Sequence, residues 1–151
     1  MNDYYINLFR EEILYDKWDT VFNLLDNNII SINYTFSNGK TFVHHAVIHN
    51  NKEVLLKLIN YDPNLSIRDK HGMSSLHYGV SYVSFDCIKI LLLNNINVNL
   101  LDNKGRKAHE YLCFGSVDEK HGLIDNLTKS FFLICIEYGY CDILTMYKQG
   151  T

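Results

Sequence analysis

The chain has 151 residues, 47% hydrophobic and 21% charged, with a formal net charge of −3 and a pI near 6.1. Those values imply one domain with enough apolar content for a core, exclude a disordered chain, and argue against a dedicated nucleic-acid binder. No apolar run approaches the ~20 residues that cross a bilayer, and the acidic residues 1–25 lack the layout of a secretory signal, so a cytoplasmic protein is expected.

Taken in chain order, residues 1–9 are expected to form an N-terminal capping helix. A first apolar helix in "KWDTVFNLLD" then ends at Asn27-Asn28, where Asn tolerates left-handed backbone. A short extended stretch leads to Gly39 and to "TFVHHAV", the start of a second helix. Asn50-Asn51 breaks this from a third helix carrying Val54, Leu55 and Leu58, and the same order then recurs. Gly72 and Gly105 follow Gly39 at steps of 33 residues, and His77 follows His44 by the same step. "NKEVLLKLINYDPNLSIRDKHG" lies over "SFDCIKILLLNNINVNLLDNKG", and the stretch from Lys17 to Gly39 is read in the same register without a gap. A period in this range dictates a stacked repeat, in which no single unit buries its own apolar face and Leu58 and Leu91 belong to the shared core.

Thr41-Phe42-Val43-His44-His45-Ala46 and Ser74-Ser75-Leu76-His77-Tyr78-Gly79 carry a resemblance to the ankyrin-repeat family, whose signature T-P-L-H-x-A opens each unit, and Asn97-Val98-Asn99 stands at the family's Asp-Val-Asn. The resemblance covers about residues 15–111 and implies an all-α fold: an α-solenoid of stacked helix-turn-helix units with short hairpin loops. Thr41 and Ser74 are placed to cap the first helix of each unit. The resemblance implies a hydrogen bond from His44 and His77 to those hydroxyls. Neither copy keeps the proline, and the third, Lys107-Ala108-His109-Glu110-Tyr111-Leu112, lacks both hydroxyl and histidine. The boundaries read as 1–38 for an N-terminal capping repeat, 39–71 and 72–104 for two full repeats, 105–127 for a degenerate one and 128–151 for a divergent C-terminal one, all in a single domain 1–151.

Reaction chemistry is not expected. His45 and His49 are four apart in "HHAVIH", yet no HExxH glutamate or third ligand accompanies them, so no metal or other cofactor is assigned. Cys87 and Cys113 could be considered as thiol nucleophiles, but Cys87 falls on a core-facing helix position and nothing in the sequence activates either. The four cysteines form no CxxC pair and read as free thiols.

Binding is then the expected function. The resemblance implies a concave surface of hairpin tips and first helices, to which one unit brings Lys40 and His49. The next brings Arg68, Lys70, His71, Met73, Ser81 and Tyr82, and the third brings Leu101, Asn103, Lys104 and Arg106. Residues 36–110 hold nine Lys/Arg against six Asp/Glu, a basic centre in an acidic chain. The expected partner is therefore a protein with an acidic, partly apolar surface; nucleic acid and membrane are disfavoured, and the oligomeric state is left open. Short proteins of this kind resemble viral or bacterial factors that occupy a host protein, or modules that dock into a larger complex.

Overall fold

The computed structural model describes residues 17–113 and Leu133. Within them the chain forms α1 (Trp18–Asp26), α2 (Phe42–Ile48), α3 (Lys52–Ile59), α4 (Ser75–Ser81), α5 (Phe85–Leu93) and α6 (Glu110–Cys113). The expected capping helix at residues 1–9, and the units read beyond residue 113, lie outside the described residues.

The elements stack as the 33-residue period predicts. Inner helix α2 packs on α4, and α4 on α6, while outer helix α3 packs on α5; α2 with α3, and α4 with α5, form the helix pairs. Each pair closes through a tight turn whose left-handed residue is Asn50 in one unit and Val83 in the next. The outer helices end similarly at Asn28, Asp62 and Asn95, all at positive φ, so the Asn doublets are turns as expected.

The core is built from equivalent positions. Val21, Leu55 and Ile88 form one fully buried row, and Leu24, Leu58 and Leu91 the next. Burying a leucine at such a row is worth ~1.5–3 kcal/mol, which ties each unit's stability to its neighbour. Cys87 packs in this core, and burial pushes its thiol up to about 12.

These rows correct the ungapped register of the first unit. Val21 to Leu55 is 34 residues, whereas Leu55 to Ile88 is 33. The side chains of Ser31, Asn64 and Asn97 each accept from the N–H two residues on, and those three are again 33 apart. One extra residue therefore lies between Asn28 and Ser31, where the second unit has only Pro63. It is absorbed on the surface: Ile29 is 48% exposed while Ile30 stays buried. A hydrophobic repeat tolerates such an insertion in the loop, because the helix and the hairpin each keep their own register.

The extended stretches before each glycine contain no strand among the described residues. They are turns held by pairs of backbone bonds: Phe36 N–H to Lys40 carbonyl at 2.8 Å, Asp69 to Met73 at 3.0 Å and Asp102 to Arg106 at 2.9 Å.

Candidate functional site

The histidine of each motif does more than complete its own turn. Thr41 and Ser74 head capping boxes with His44 and His77. His44 Nδ1 accepts from the Thr41 N–H at 3.1 Å and the Thr41 hydroxyl at 2.9 Å, so its proton is on Nε2, which donates to the Met73 carbonyl at 3.1 Å. His77 repeats the arrangement with Ser74 and donates to the Arg106 carbonyl at 3.0 Å. Each ring thereby fastens one unit to the hairpin of the next. Burial lowers the His44 pKa to about 4, which keeps the ring neutral as both bonds require. In the third copy Glu110 takes the histidine's place and accepts from the Lys107 N–H.

Two buried aspartates organise the hairpin tips. Asp69 Oδ1 accepts from the His71 and Met73 N–H groups, each at 2.9 Å, and Oδ2 from the Tyr78 hydroxyl at 2.5 Å. Asp102 accepts from Lys104 and Arg106 N–H and from Tyr111, and pairs with the Arg106 guanidinium at 3.1 Å. Burial alone would raise the Asp102 carboxyl, but these bonds, Tyr111 foremost, outweigh it and hold the pKa well below the carboxylate range. In the first unit Phe36 stands at this position and stacks edge-on against His45, 4.8 Å between centroids.

Successive tips are also joined to each other. Lys70 N–H donates to the Asn38 carbonyl at 3.0 Å, Asn103 N–H to the His71 carbonyl at 2.9 Å, and the Asn103 amide to the Lys70 carbonyl at 2.8 Å. The tips thus form one rigid ridge.

The side chains expected to meet a partner divide on this ridge into two sets. Some are engaged in holding it. Lys40 lies over the Tyr78 ring at 5.1 Å, Arg68 donates to the Leu101 carbonyl at 3.0 Å, and Met73 packs half-buried against the core. Asn103 bonds across the tips, and Arg106 is held by Asp102 while lying 4.4 Å over the Tyr111 ring. Others project outward: Lys70, His71 and Lys104 from the tips, Leu101 (43% exposed) beside them, and His49, Ser81 and Tyr82 (58% exposed) from the ends of the inner helices. Lys70, Lys104 and Arg68 form no ion pair among the described residues, and the tip aspartates are buried and saturated.

Asp69, Asp102, Tyr78 and Tyr111 were not singled out from sequence. The signal was present in "DKHG" and "DNKG", where Asp three residues before Gly marks a turn whose side chain accepts from following N–H groups. The tyrosines follow nine residues later in both units.

The groups considered for reactions are placed as follows. Burial lowers the His45 pKa to about 3, and no group of three or more His, Cys, Asp or Glu among the described residues is arranged to hold a metal. Cys87 is fully buried, its thiol directed at the Ala46 carbonyl at 4.0 Å. The Cys113 side chain lies outside the described residues. No helix among the described residues is long and apolar enough to cross a membrane.

The family model that matches this chain is described as ankyrin repeats in three copies, and covers residues 13–102. Ankyrin repeat protein FPV233 of fowlpox virus is 39% identical over 67 residues, 44% of this chain and 13% of that protein. Ankyrin repeat protein L371 of Acanthamoeba polyphaga mimivirus is 29% identical over 89 residues, 55% of this chain and 12% of its own length. Subunit AVO2 of target of rapamycin complex 2 in Saccharomyces cerevisiae is 35% identical over 78 residues, 52% of this chain and 18% of that subunit. The chain thus matches less than a fifth of each of these relatives.

Proposed function

The chain belongs to the ankyrin-repeat family, a family of protein-interaction modules, and on that premise we propose that it acts without catalysis, by seating a protein partner on the hairpin tips and inner helices. The observation that carries this reading is the ridge itself. Its backbones are bonded to one another, its acids are buried, and Lys70, Lys104 and Arg68 remain without an ion pair among the described residues. Such a surface is preorganised for a partner with acidic groups, and Tyr82 and Leu101 supply exposed apolar area beside it.

Within this reading the protein is a viral or bacterial factor that sequesters or inhibits its target in the cytoplasm; that fowlpox virus and mimivirus ankyrin-repeat proteins are among its relatives supports the viral side. A second reading has its own observation: the yeast relative is named as a subunit of a complex, which supports a docking module within a larger assembly.

A photo-reactive amino acid replacing Tyr82 on the inner face, or Lys89 on outer helix α5, tests the placement. The Tyr82 probe is expected to crosslink a protein from extracts of the producing cell or its host. Crosslinking from Lys89 alone would overturn the inner-face reading.

A further inference from the structure

We propose that Asn38 is a site of spontaneous deamidation, and that its isoaspartate product unfastens the first hairpin tip from the second. Asn38-Gly39 is the single Asn-Gly pair in the chain. Deamidation joins the backbone nitrogen of the following residue to the asparagine Cγ, so that residue must permit a close approach. Glycine, having no side chain, permits it best.

The structure supplies a second condition. The Lys40 N–H donates to Asn38 Oδ1 at 3.0 Å, and so points at the oxygen on which negative charge collects when Cγ is attacked. Among the described residues Asn64 and Asn97 have the same bond, from the Ser66 N–H and the Asn99 N–H, each at 2.9 Å. Leu65 and Val98 follow those two, and their side chains crowd the attacking nitrogen. Of the three, Asn38 alone combines the bonded oxygen with an unhindered nucleophile. The Gly39 N–H is itself held by the Phe36 carbonyl at 2.8 Å. Attack therefore waits for this turn to open and for hydroxide to take the amide proton, which makes the step slow and faster at higher pH. The turn lies at the surface, with Ser37 exposed and Asn38 and Gly39 half-buried.

Water is the only co-reactant. The bond from Gly39 N to Cγ forms, the bond from Cγ to Nδ2 breaks, and the amide leaves as ammonia, giving a five-membered succinimide. Water then opens the ring at one of its two carbonyls. Opening at Cγ leaves aspartate on the original backbone, whereas opening at the main-chain carbonyl leaves isoaspartate, whose backbone runs through Cβ and Cγ and is longer by one methylene.

The first tip has no room for that methylene. It is closed by bonds from the Phe36 N–H to the Lys40 carbonyl and from the Gly39 N–H to the Phe36 carbonyl, both at 2.8 Å. It also abuts the second tip, since a Cβ on Gly39 would come 2.9 Å from the Lys70 nitrogen. Lengthening the chain at position 38 therefore pushes the tip off its neighbour. The bond lost is that from the Lys70 N–H to the Asn38 carbonyl, 3.0 Å, which joins these two tips.

Peptide mapping of the full chain, kept folded at mildly alkaline pH, tests the chemistry through a mass gain of about 1 Da and two isomeric products. Asn38 is expected to convert about tenfold faster than Asn64 or Asn97. Conversion no faster than theirs would overturn the assignment. Amide hydrogen exchange on the isolated isoaspartate form tests the consequence. The Lys70 amide is expected to exchange about tenfold faster than in fresh protein, while the Asn103 amide, bonded to the His71 carbonyl between the second and third tips, is unchanged. Asn38→Asp adds the charge without the methylene and is expected to keep Lys70 protected. An unchanged Lys70 amide in the isoaspartate form, or an equal loss in Asn38→Asp, would overturn the unfastening.

Discussion

Gly72 and Gly105 have nearly the same backbone, φ +74° and +73°, but different surroundings. A Cβ on Gly72 would come 2.6 Å from the backbone nitrogen of Asn103, whereas around Gly105 nothing lies within 4 Å among the described residues. Gly105→Ala therefore meets only the left-handed penalty, about 1–2 kcal/mol. Gly72→Ala adds a steric clash with the next tip, about 1–3 kcal/mol more. Urea unfolding of the two variants is expected to separate them by that margin; equal losses would mean that the tips do not abut. The sequence shows the two glycines as equals, because it records that a turn needs Gly and not which turn has a neighbour above it. Asp69 and Asp102 are similar: a turn-forming Asp is legible from "DKHG", but its second oxygen meets a tyrosine only once the tip folds over the inner helix.

At the scale of elements, the turn between α4 and α5 is the point of strain. Val83 has φ +56°, in a region that a β-branched residue rarely occupies, while Asn50 serves the same position in the preceding unit at +48°. Val83→Asn is expected to raise stability by about 1 kcal/mol, seen as a higher midpoint in urea. A lower midpoint would show that the half-buried valine contributes more by packing than its backbone loses. The helices themselves were plain in the sequence, since apolar spacing and Asn doublets both follow from local preference. The extra residue near Ile29 was not, because an ungapped overlay reads well by residue type and only the buried rows show that Val21 answers Leu55. The inter-unit bonds of His44 and His77 were also missed: the hydroxyl contact lies three residues away, but the Met73 and Arg106 carbonyls lie 29 residues on.

For the whole molecule, the consequence of burying the His44 ring is sensitivity to acid. His44 is held near pKa 4, against 6.5 in the unfolded chain, so between those values the unfolded chain binds more protons. The stability that the neutral ring provides is full above pH 6.5 and falls as pH drops, by about 3 kcal/mol at pH 4. Asp102, with its depressed pKa, adds to the loss below the ordinary carboxylate range. Urea midpoints measured from pH 7.5 to 4 are expected to fall steadily, and His44→Gln to lower the midpoint at pH 7.5 while flattening that slope. An unchanged slope in His44→Gln would place the acid sensitivity elsewhere.

By itself the sequence determined the period, the helices, the turn residues and the family, because these depend on residue types within a few positions and on their recurrence. Only the tertiary structure decided which cations of the basic centre are held by a neighbouring group among the described residues. Lys40, Arg68, Lys70, Lys104 and Arg106 look alike in one dimension. In three, Arg106 meets the Asp102 carboxylate, Lys40 a tyrosine ring and Arg68 a backbone carbonyl, while Lys70 and Lys104 stand at the tips facing outward. A side chain's availability depends on what the neighbouring unit places beside it, and that neighbour is set by the stacking of distant residues.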